Sequence, residues 1–334
     1  MNKSTLIFPM LFIILLLLGC STSTQESADP LPNAELVQLD IVEGYAATVL
    51  PYSFNRPTQF VVEENILWVA QLAGGENAER GEVLRVNLST GEQTVVLEGL
   101  DKPTGLAIIG PTIYVADRDS ILSFDTSVPD GVIEIILENL PNNGRSNGTL
   151  TVTPSGEILY ETSGNRRDAD SGKLWALNPV DGSVRELASG LKGAYAHAVG
   201  PSGQIWMTEV ADGSLQGTPY PDEINVLQEG ANYGWPTCYG RELAGTDCEG
   251  VKTAITTFSA GSTPTGIAYS PFGDPSLFVA LWVSGEVVRV GSISGRTEPF
   301  IQNLGNPQHL LALDDGSLLV SDYAAGKIYQ IKQS

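Results

Sequence analysis

The chain has 334 residues with 18 basic and 39 acidic side chains, so its formal net charge is −21 at pH 7. Proteins that bind nucleic acid rely on Lys and Arg contacts to phosphates, so this balance argues against a nucleic-acid partner. It also disfavours anionic ligands unless local basic residues collect them, and it is compatible with a bound cation.

The N-terminus has the pattern of an export signal. Lys3 precedes an apolar run from Leu6 to Leu18, and the run ends in Leu-Leu-Gly directly before Cys20. A basic start, an apolar centre and a small residue before the cleavage point are typical of a secretory signal. A Cys directly after that small residue resembles the lipobox of bacterial lipoproteins. The alternative, a transmembrane anchor, is disfavoured because the run is shorter than the roughly 20 residues that usually span a bilayer.

We therefore expect a lipoprotein signal peptide over residues 1–19, a lipidated polar tether over 20–36 and one folded domain over 37–334. Lipid on Cys20 predicts a protein of the bacterial cell envelope, held at the membrane outside the cytoplasm. The two other cysteines, Cys238 and Cys248, are close in sequence in an exported chain, which favours a disulfide between them.

The folded part repeats a short apolar run. The run recurs six times, as ILWVAQ from Ile66, TIYVAD from Thr112, EILYET from Glu157, QIWMTE from Gln204, SLFVAL from Ser276 and SLLVSD from Ser317. Similar runs precede and follow each copy, and a fourth run closes most units. Short runs rich in Val, Ile, Tyr and Thr between turn residues predict all-β structure. Four antiparallel strands per unit, in six units, predict a six-bladed β-propeller.

The last unit has only three such runs. The missing strand is available near the N-terminus, where GYAATVL from Gly44 to Leu50 resembles the fourth-strand runs. We predict that it pairs beside Gly326 to Lys332 and closes the ring, so that neither terminal blade presents an unpaired edge.

An insertion separates the fourth and fifth units and contains DEINVLQEGANYGWPTCYG, Asp222 to Gly240. This stretch resembles the marker of the glucose/sorbosone dehydrogenase family, soluble six-bladed propellers that use pyrroloquinoline quinone (PQQ) and calcium. The resemblance is specific over Gln204 to Cys248 and covers the remaining mature chain as fold. It implies an enzyme that oxidises an aldose sugar at its anomeric carbon.

In that family, catalysis takes place at the face where first strands begin and second strands end, which we call the mouth. Asp222 to Gln228 is predicted to be a third strand that runs away from the mouth. Asn232 to Pro236 is therefore expected on the opposite side, roughly 20 Å away at about 3.3 Å per residue. There it would form a structural staple together with the disulfide.

The resemblance also places the functional residues of the family on this chain. The catalytic His of the family aligns with Arg145, whose guanidinium stays protonated and cannot accept a proton from a sugar hydroxyl. Arg145 and Lys192, which takes the place of a family Arg, are implied as cofactor-binding residues. Three further cationic positions of the family fall near Val283 and on Asn306 and Gln308, which are neutral. The sequence therefore predicts weak PQQ binding.

Calcium and a general base have their own candidates. The resemblance implies that calcium is held through backbone carbonyls at Ala211 and Asp212, just after Glu209, and oxygen ligands suit this hard cation. The two histidines of the chain, His197 and His309, lie on predicted first strands that line the central channel. Together with Arg145 they are the candidates for the catalytic position.

Three functions stay open. The first is a PQQ-dependent sugar dehydrogenase. The second is a propeller that has lost this chemistry and binds a carbohydrate or a protein partner at the mouth. The third is a calcium-dependent lactone hydrolase, suggested by the Asn147-Gly148 pair of SNGTL, which resembles an Asn-Gly of gluconolactonase-type propellers.

Overall fold

The computed structural model describes residues 35–74, 80–128, 131–142 and 147–334. The predicted signal peptide, Cys20 and Arg145 lie outside these residues. Within them, strands and turns predominate, and the one helix is a short 3-10 helix at Ala169–Ser171. None of the helical structure in these ranges is long and apolar enough to cross a membrane.

The strands are numbered in chain order. Three N-terminal strands come first: β1 (Glu35–Val37), β2 (Asp40–Ile41) and β3 (Tyr45–Val49). Blades one and two follow: β4 (Pro57–Glu63), β5 (Ile66–Gln71), β6 (Gly81–Asn87), β7 (Gln93–Leu100), β8 (Pro103–Ile109), β9 (Thr112–Asp117), β10 (Ser120–Asp125) and β11 (Glu134–Leu137).

Blades three and four contain the inserted short strands: β12 (Thr151–Val152), β13 (Ile158–Thr162), β14 (Lys173–Leu177), β15 (Val184–Ser189), β16 (His197–Val199), β17 (Ile205–Glu209), β18 (Ser214–Leu215), β19 (Thr218–Pro219), β20 (Asp222–Val226), β21 (Ala231–Asn232), β22 (Cys238–Tyr239), β23 (Ala244–Gly245) and β24 (Thr256–Phe258). Blades five and six complete the ring: β25 (Pro264–Tyr269), β26 (Ser276–Leu281), β27 (Glu286–Gly291), β28 (Thr297–Gln302), β29 (Pro307–Ala312), β30 (Leu318–Asp322) and β31 (Lys327–Gln333).

The predicted six-bladed β-propeller is confirmed, and so is its closure by an N-terminal strand. β3 pairs antiparallel with β31, with Ala47 opposite Ile331, and supplies the missing fourth strand of blade six. β1 adds outside β3, and β2 adds to β28 at the outer edge of blade five. Because β1 begins at Glu35, the folded domain starts slightly before the predicted residue 37.

The core is divided among the interfaces between blades. In the described part of the chain, six clusters of buried apolar side chains each join two neighbouring blades. In the cluster between blades five and six, the rings of Phe278 and Phe300, both from blade five, lie 4.4 Å apart. Burial of each large apolar side chain contributes about 1.5–3 kcal/mol, so stability depends on every blade having both neighbours.

The insertion after β20 runs back toward the mouth, so the position predicted for Asn232 to Pro236 is wrong. The chain reverses at Gly230, which has a φ of +75°. It then pairs in parallel with β15, where Ser189 lies opposite Asn232. Trp235 N donates to Gly190 O at 2.8 Å beyond the end of β15. The prediction assumed that the chain continues away from the mouth after β20, and the pairing with blade three reverses it.

The predicted disulfide between Cys238 and Cys248 is present. Its loop lies beside the start of β20, since Gly240 N donates to Glu223 Oε1 at 2.5 Å. The disulfide therefore holds the insertion against blade four close to the mouth, instead of on the far side.

Candidate functional site

The mouth contains a cavity of about 580 Å³ in the centre of the ring. It is lined by the starts of first strands and by the loops that follow second strands. All six blades contribute to it, so side chains distant in sequence share one space. This arrangement fits the general rule that a ligand site is the largest concave pocket with a few polar groups.

Aromatic rings and neutral polar side chains account for about half of the described lining residues. Trp282 and Tyr323 line the cavity, with ring centroids 6.1 Å apart and an interplanar angle of 63°. Tyr195 contributes a third ring, and its hydroxyl accepts a 2.9 Å hydrogen bond from Gln308 Nε2 on blade six. Hydroxyls of Thr58, Thr104, Ser163, Thr263 and Thr265 belong to residues of the same lining.

Among the described residues, four charged side chains line the cavity, two of each sign: Lys102, Lys192, Glu161 and Asp212. Lys192 is buried with 5% of its surface exposed, and Glu161 is buried with 2% exposed. Glu161 Oε1 accepts hydrogen bonds from Gly148 N at 3.2 Å and from Ser163 Oγ at 3.4 Å. Its Oε2 is buried and has no hydrogen-bond partner. Burial raises the pKa of Glu161 to about 7, although the charge of Lys192 opposes the shift.

Two further carboxylates lie behind this wall, and with Glu161 we call them the carboxylate cluster. Glu209 Oε1 accepts hydrogen bonds from the backbone N–H groups of Lys192 and Gly193. Burial raises the pKa of Glu209 to about 8, and the charges of Glu223 and Glu161 add to the shift. Burial likewise raises the pKa of Glu223 to about 7. The cluster therefore holds protons near neutral pH.

Sequence reasoning missed Glu161, although the repeat contains a signal for it. Glu161 is the penultimate residue of its second-strand run, and the corresponding positions in the other five units carry small residues: Ala70, Ala116, Thr208, Ala280 and Ser321. A buried Glu at a position that otherwise takes Ala, Ser or Thr breaks the packing rule of the repeat, and such exceptions favour functional positions.

The two histidines lie in the wall of the channel, apart from the cavity lining. His309 on β29 packs edge-on against Phe60, with ring centroids 4.9 Å apart. Burial lowers the pKa of His309 to about 3 and that of His197 on β16 to about 4. Both rings are therefore neutral at physiological pH. Asn147, of the Asn-Gly pair, is also buried and outside the cavity lining.

The three residues predicted to hold calcium differ in what they face. Ala211 and Asp212 line the cavity, whereas Glu209 faces the backbone behind it. Over the described ranges, no group of three or more His, Cys, Asp and Glu side chains is placed to hold a metal ion. The acid that ends β30, Asp322, accepts hydrogen bonds from the backbone of Gly305 and Asn306, so it caps a loop.

Three of the positions where the resemblance implies cofactor-binding cations carry neutral residues, namely Val283, Asn306 and Gln308. Val283 is 59% exposed on the rim. Asn306 Nδ2 donates to Trp282 O at 2.9 Å, and Gln308 is engaged with Tyr195. PQQ carries three carboxylates, and each needs a cationic partner when it leaves water. Two lysines balanced by two acids do not provide this, so the described lining does not fit PQQ.

The fold is a six-bladed propeller with a concave cavity at one mouth. Residues 134–274, from β11 into blade five, match the family model described as Glucose / Sorbosone dehydrogenase. The resemblance to this family predicted from the sequence is therefore confirmed over these residues. No curated protein matches the sequence.

Solved structures show the same architecture. The PQQ-bound aldose sugar dehydrogenase of Streptomyces coelicolor has 18% identity and a TM-score of 0.69, covering 87% of this chain and 99% of that one. A calcium structure of a Trichoderma reesei protein of carbohydrate-active enzyme family AA12 has 16% identity and a TM-score of 0.70, covering 92% and 100%. The apo-form soluble aldose sugar dehydrogenase of Escherichia coli has 15% identity and a TM-score of 0.65, covering 87% and 100%. Identities this low establish the shared fold alone.

Proposed function

We propose that the mouth of this propeller binds a neutral sugar or a similar polyol. The observation that carries the proposal is the described lining, in which three aromatic rings stand among hydroxyl and amide groups while basic and acidic residues are equal in number. The C–H face of a sugar packs on aromatic rings, and its hydroxyls need donors and acceptors around it. The structurally similar aldose sugar dehydrogenases of Streptomyces coelicolor and Escherichia coli support the same ligand class.

The test is calorimetric titration of the purified protein with a panel of neutral sugars that includes D-glucose. Trp282→Ala should weaken binding about tenfold, since loss of an aromatic contact costs on the order of 1 kcal/mol. Ile293→Ala is the matched control, because Ile293 is 89% exposed on the turn between β27 and β28, away from the mouth. Absence of binding across the panel, or equal loss in both variants, contradicts the proposal.

A PQQ-dependent aldose dehydrogenase is the second candidate. It is favoured by the family match over residues 134–274 and by the buried cation Lys192 at the mouth. It needs PQQ to bind despite the neutral side chains of Val283, Asn306 and Gln308. The two candidates differ in one measurable property, which is the affinity for PQQ.

We further propose that Cys20 carries lipid and anchors the propeller to the envelope. The support is the sequence alone: an apolar run followed by Leu-Leu-Gly and then Cys20. Cys20→Ser should abolish metabolic labelling with a radioactive fatty acid and leave an unprocessed precursor. Cys238→Ser is the control and should keep the label. Labelling that persists in Cys20→Ser contradicts the proposal.

A further inference from the structure

The wall of the mouth contains an acceptor without a donor. Glu161 belongs to the cavity lining, yet its Oε2 has no hydrogen-bond partner, while its Oε1 is held by Gly148 N and Ser163 Oγ. These two bonds fix the carboxylate in place. A buried acceptor left unsatisfied is costly, and more so when it is charged. The position therefore gains from a ligand that brings a donor.

A cation stands at the same wall. Lys192 follows β15, lines the cavity and acts on Glu161 through its charge. Its backbone N–H donates to Glu209, which fixes the main chain beneath the side chain. An ammonium group supplies donors only, and an ionised carboxylate supplies acceptors only. A hydroxyl, which does both, is the group that matches the pair.

We infer that Glu161 and Lys192 together hold one hydroxyl of the sugar: the hydroxyl donates to Glu161 Oε2, and Lys192 Nζ donates to the hydroxyl oxygen. This inference rests on the proposed function and assigns the contacts of that site. It makes Glu161 a binding residue at a position where the other five units of the repeat carry small residues.

Binding through this pair depends on pH because only ionised Glu161 is a pure acceptor. The groups that act on Glu161 come from several elements: Lys192 before β16, Ser163 after β13, the N–H of Gly148 before β12, and Glu209 at the end of β17. Burial raises the pKa of Glu161 to about 7. Sugar affinity should therefore rise as pH increases through neutrality.

The experiment compares D-glucose affinity, measured by calorimetry at about pH 6 and about pH 8, on either side of that pKa. The wild type should bind several-fold more tightly at the higher pH. Glu161→Gln should bind about tenfold more weakly than wild type at the higher pH, since a hydrogen bond to a charged group is lost, and should show no pH dependence. Lys192→Met should bind more weakly at both pH values.

Glu134→Gln is the matched control, since Glu134 is exposed on β11 outside the cavity lining, and it should behave as wild type. Melting curves check that the variants fold, and Glu161→Gln preserves side-chain size. Equal affinity and equal pH dependence in wild type and Glu161→Gln overturn this inference and leave the proposed function standing. A wild type that binds no sugar overturns both.

Discussion

The insertion of blade four and the mouth beside it differ in how closely they follow the family. The insertion keeps the family's marker, and its residues join blades three and four: Asn232 lies opposite Ser189, and Trp235 N donates to Gly190 O. The mouth keeps the cavity but has neutral residues at three positions where the resemblance implies cations. One region therefore resembles the family closely while the other departs from it, although they lie close together.

The difference follows from what each side chain contacts. Residues of the insertion pack against fixed backbone, as at Gly190, where an added Cβ would lie 2.0 Å from Asn232 Oδ1. Such contacts tolerate little change. Side chains at the mouth face a ligand and can change with it. Similarity in these packing residues therefore identifies the fold, whereas the function has to be inferred from the side chains of the site.

The largest expected effect is the loss of stability on removing β3, the N-terminal strand that closes the ring. Deleting residues 35–50 removes β1, β2 and β3, exposes the edge of β31 and takes buried Ala47 and Leu50 out of the core. The free energy of unfolding should fall by on the order of 5 kcal/mol or more, which is comparable to total domain stability. Urea denaturation measures the loss. Deleting residues 20–34 is the control and should leave the midpoint unchanged. Equal midpoints for the two truncations would show that the closure contributes little.

A smaller loss of stability is expected on removing the disulfide of the insertion. Cys238 and Cys248 are 10 residues apart, and closing so short a loop stabilises the fold by about 3 kcal/mol in the chain-entropy model. The double variant Cys238→Ser, Cys248→Ser should unfold at correspondingly lower urea concentration. Reductant should lower the midpoint of wild type and leave that of the double variant unchanged. A wild type with two free thiols at these positions in mass spectrometry contradicts the assignment.

The smallest of these effects is a pH dependence of the free energy of unfolding, and it comes from the carboxylate cluster. Glu209 has a pKa of about 8 in the folded protein against an ordinary value of 4.5, so the folded state binds more protons than the unfolded state. Stability must therefore fall as pH rises, and between about pH 6.5 and pH 8 the loss should be on the order of 1 kcal/mol or more. Buried His197 and His309 act in the opposite sense, below the ordinary His pKa, so they do not mask this range.

Glu209→Gln should reduce this slope, because the amide stays neutral and its oxygen still accepts from the backbone N–H of Lys192. Glu134→Gln should leave the slope as in wild type. Urea denaturation at several pH values provides the comparison. A wild type whose stability stays flat over this range would show that the cluster is ionised in the folded protein.

The repeat made the blades and the ring closure predictable, because alternating apolar runs and turn residues are local signals. The path of the insertion was not predictable, since its direction depends on the parallel pairing of Asn232 with Ser189, a contact between blades. Most contacts at the mouth could not be predicted for the same reason, since they join different blades, as Gln308 and Tyr195 do. Glu161 has a signal in the sequence, because it is a charged residue at a position where the other units of the repeat carry small residues.

We propose that this six-bladed propeller has a mouth that is suited to a neutral sugar and unsuited to PQQ. The most direct test titrates the purified protein with PQQ in the presence of calcium and, in parallel, with D-glucose. We expect saturable binding of the sugar and no saturation by PQQ at micromolar concentrations. Micromolar binding of PQQ, with aldose turnover to an artificial electron acceptor that vanishes in Lys192→Met, would contradict it.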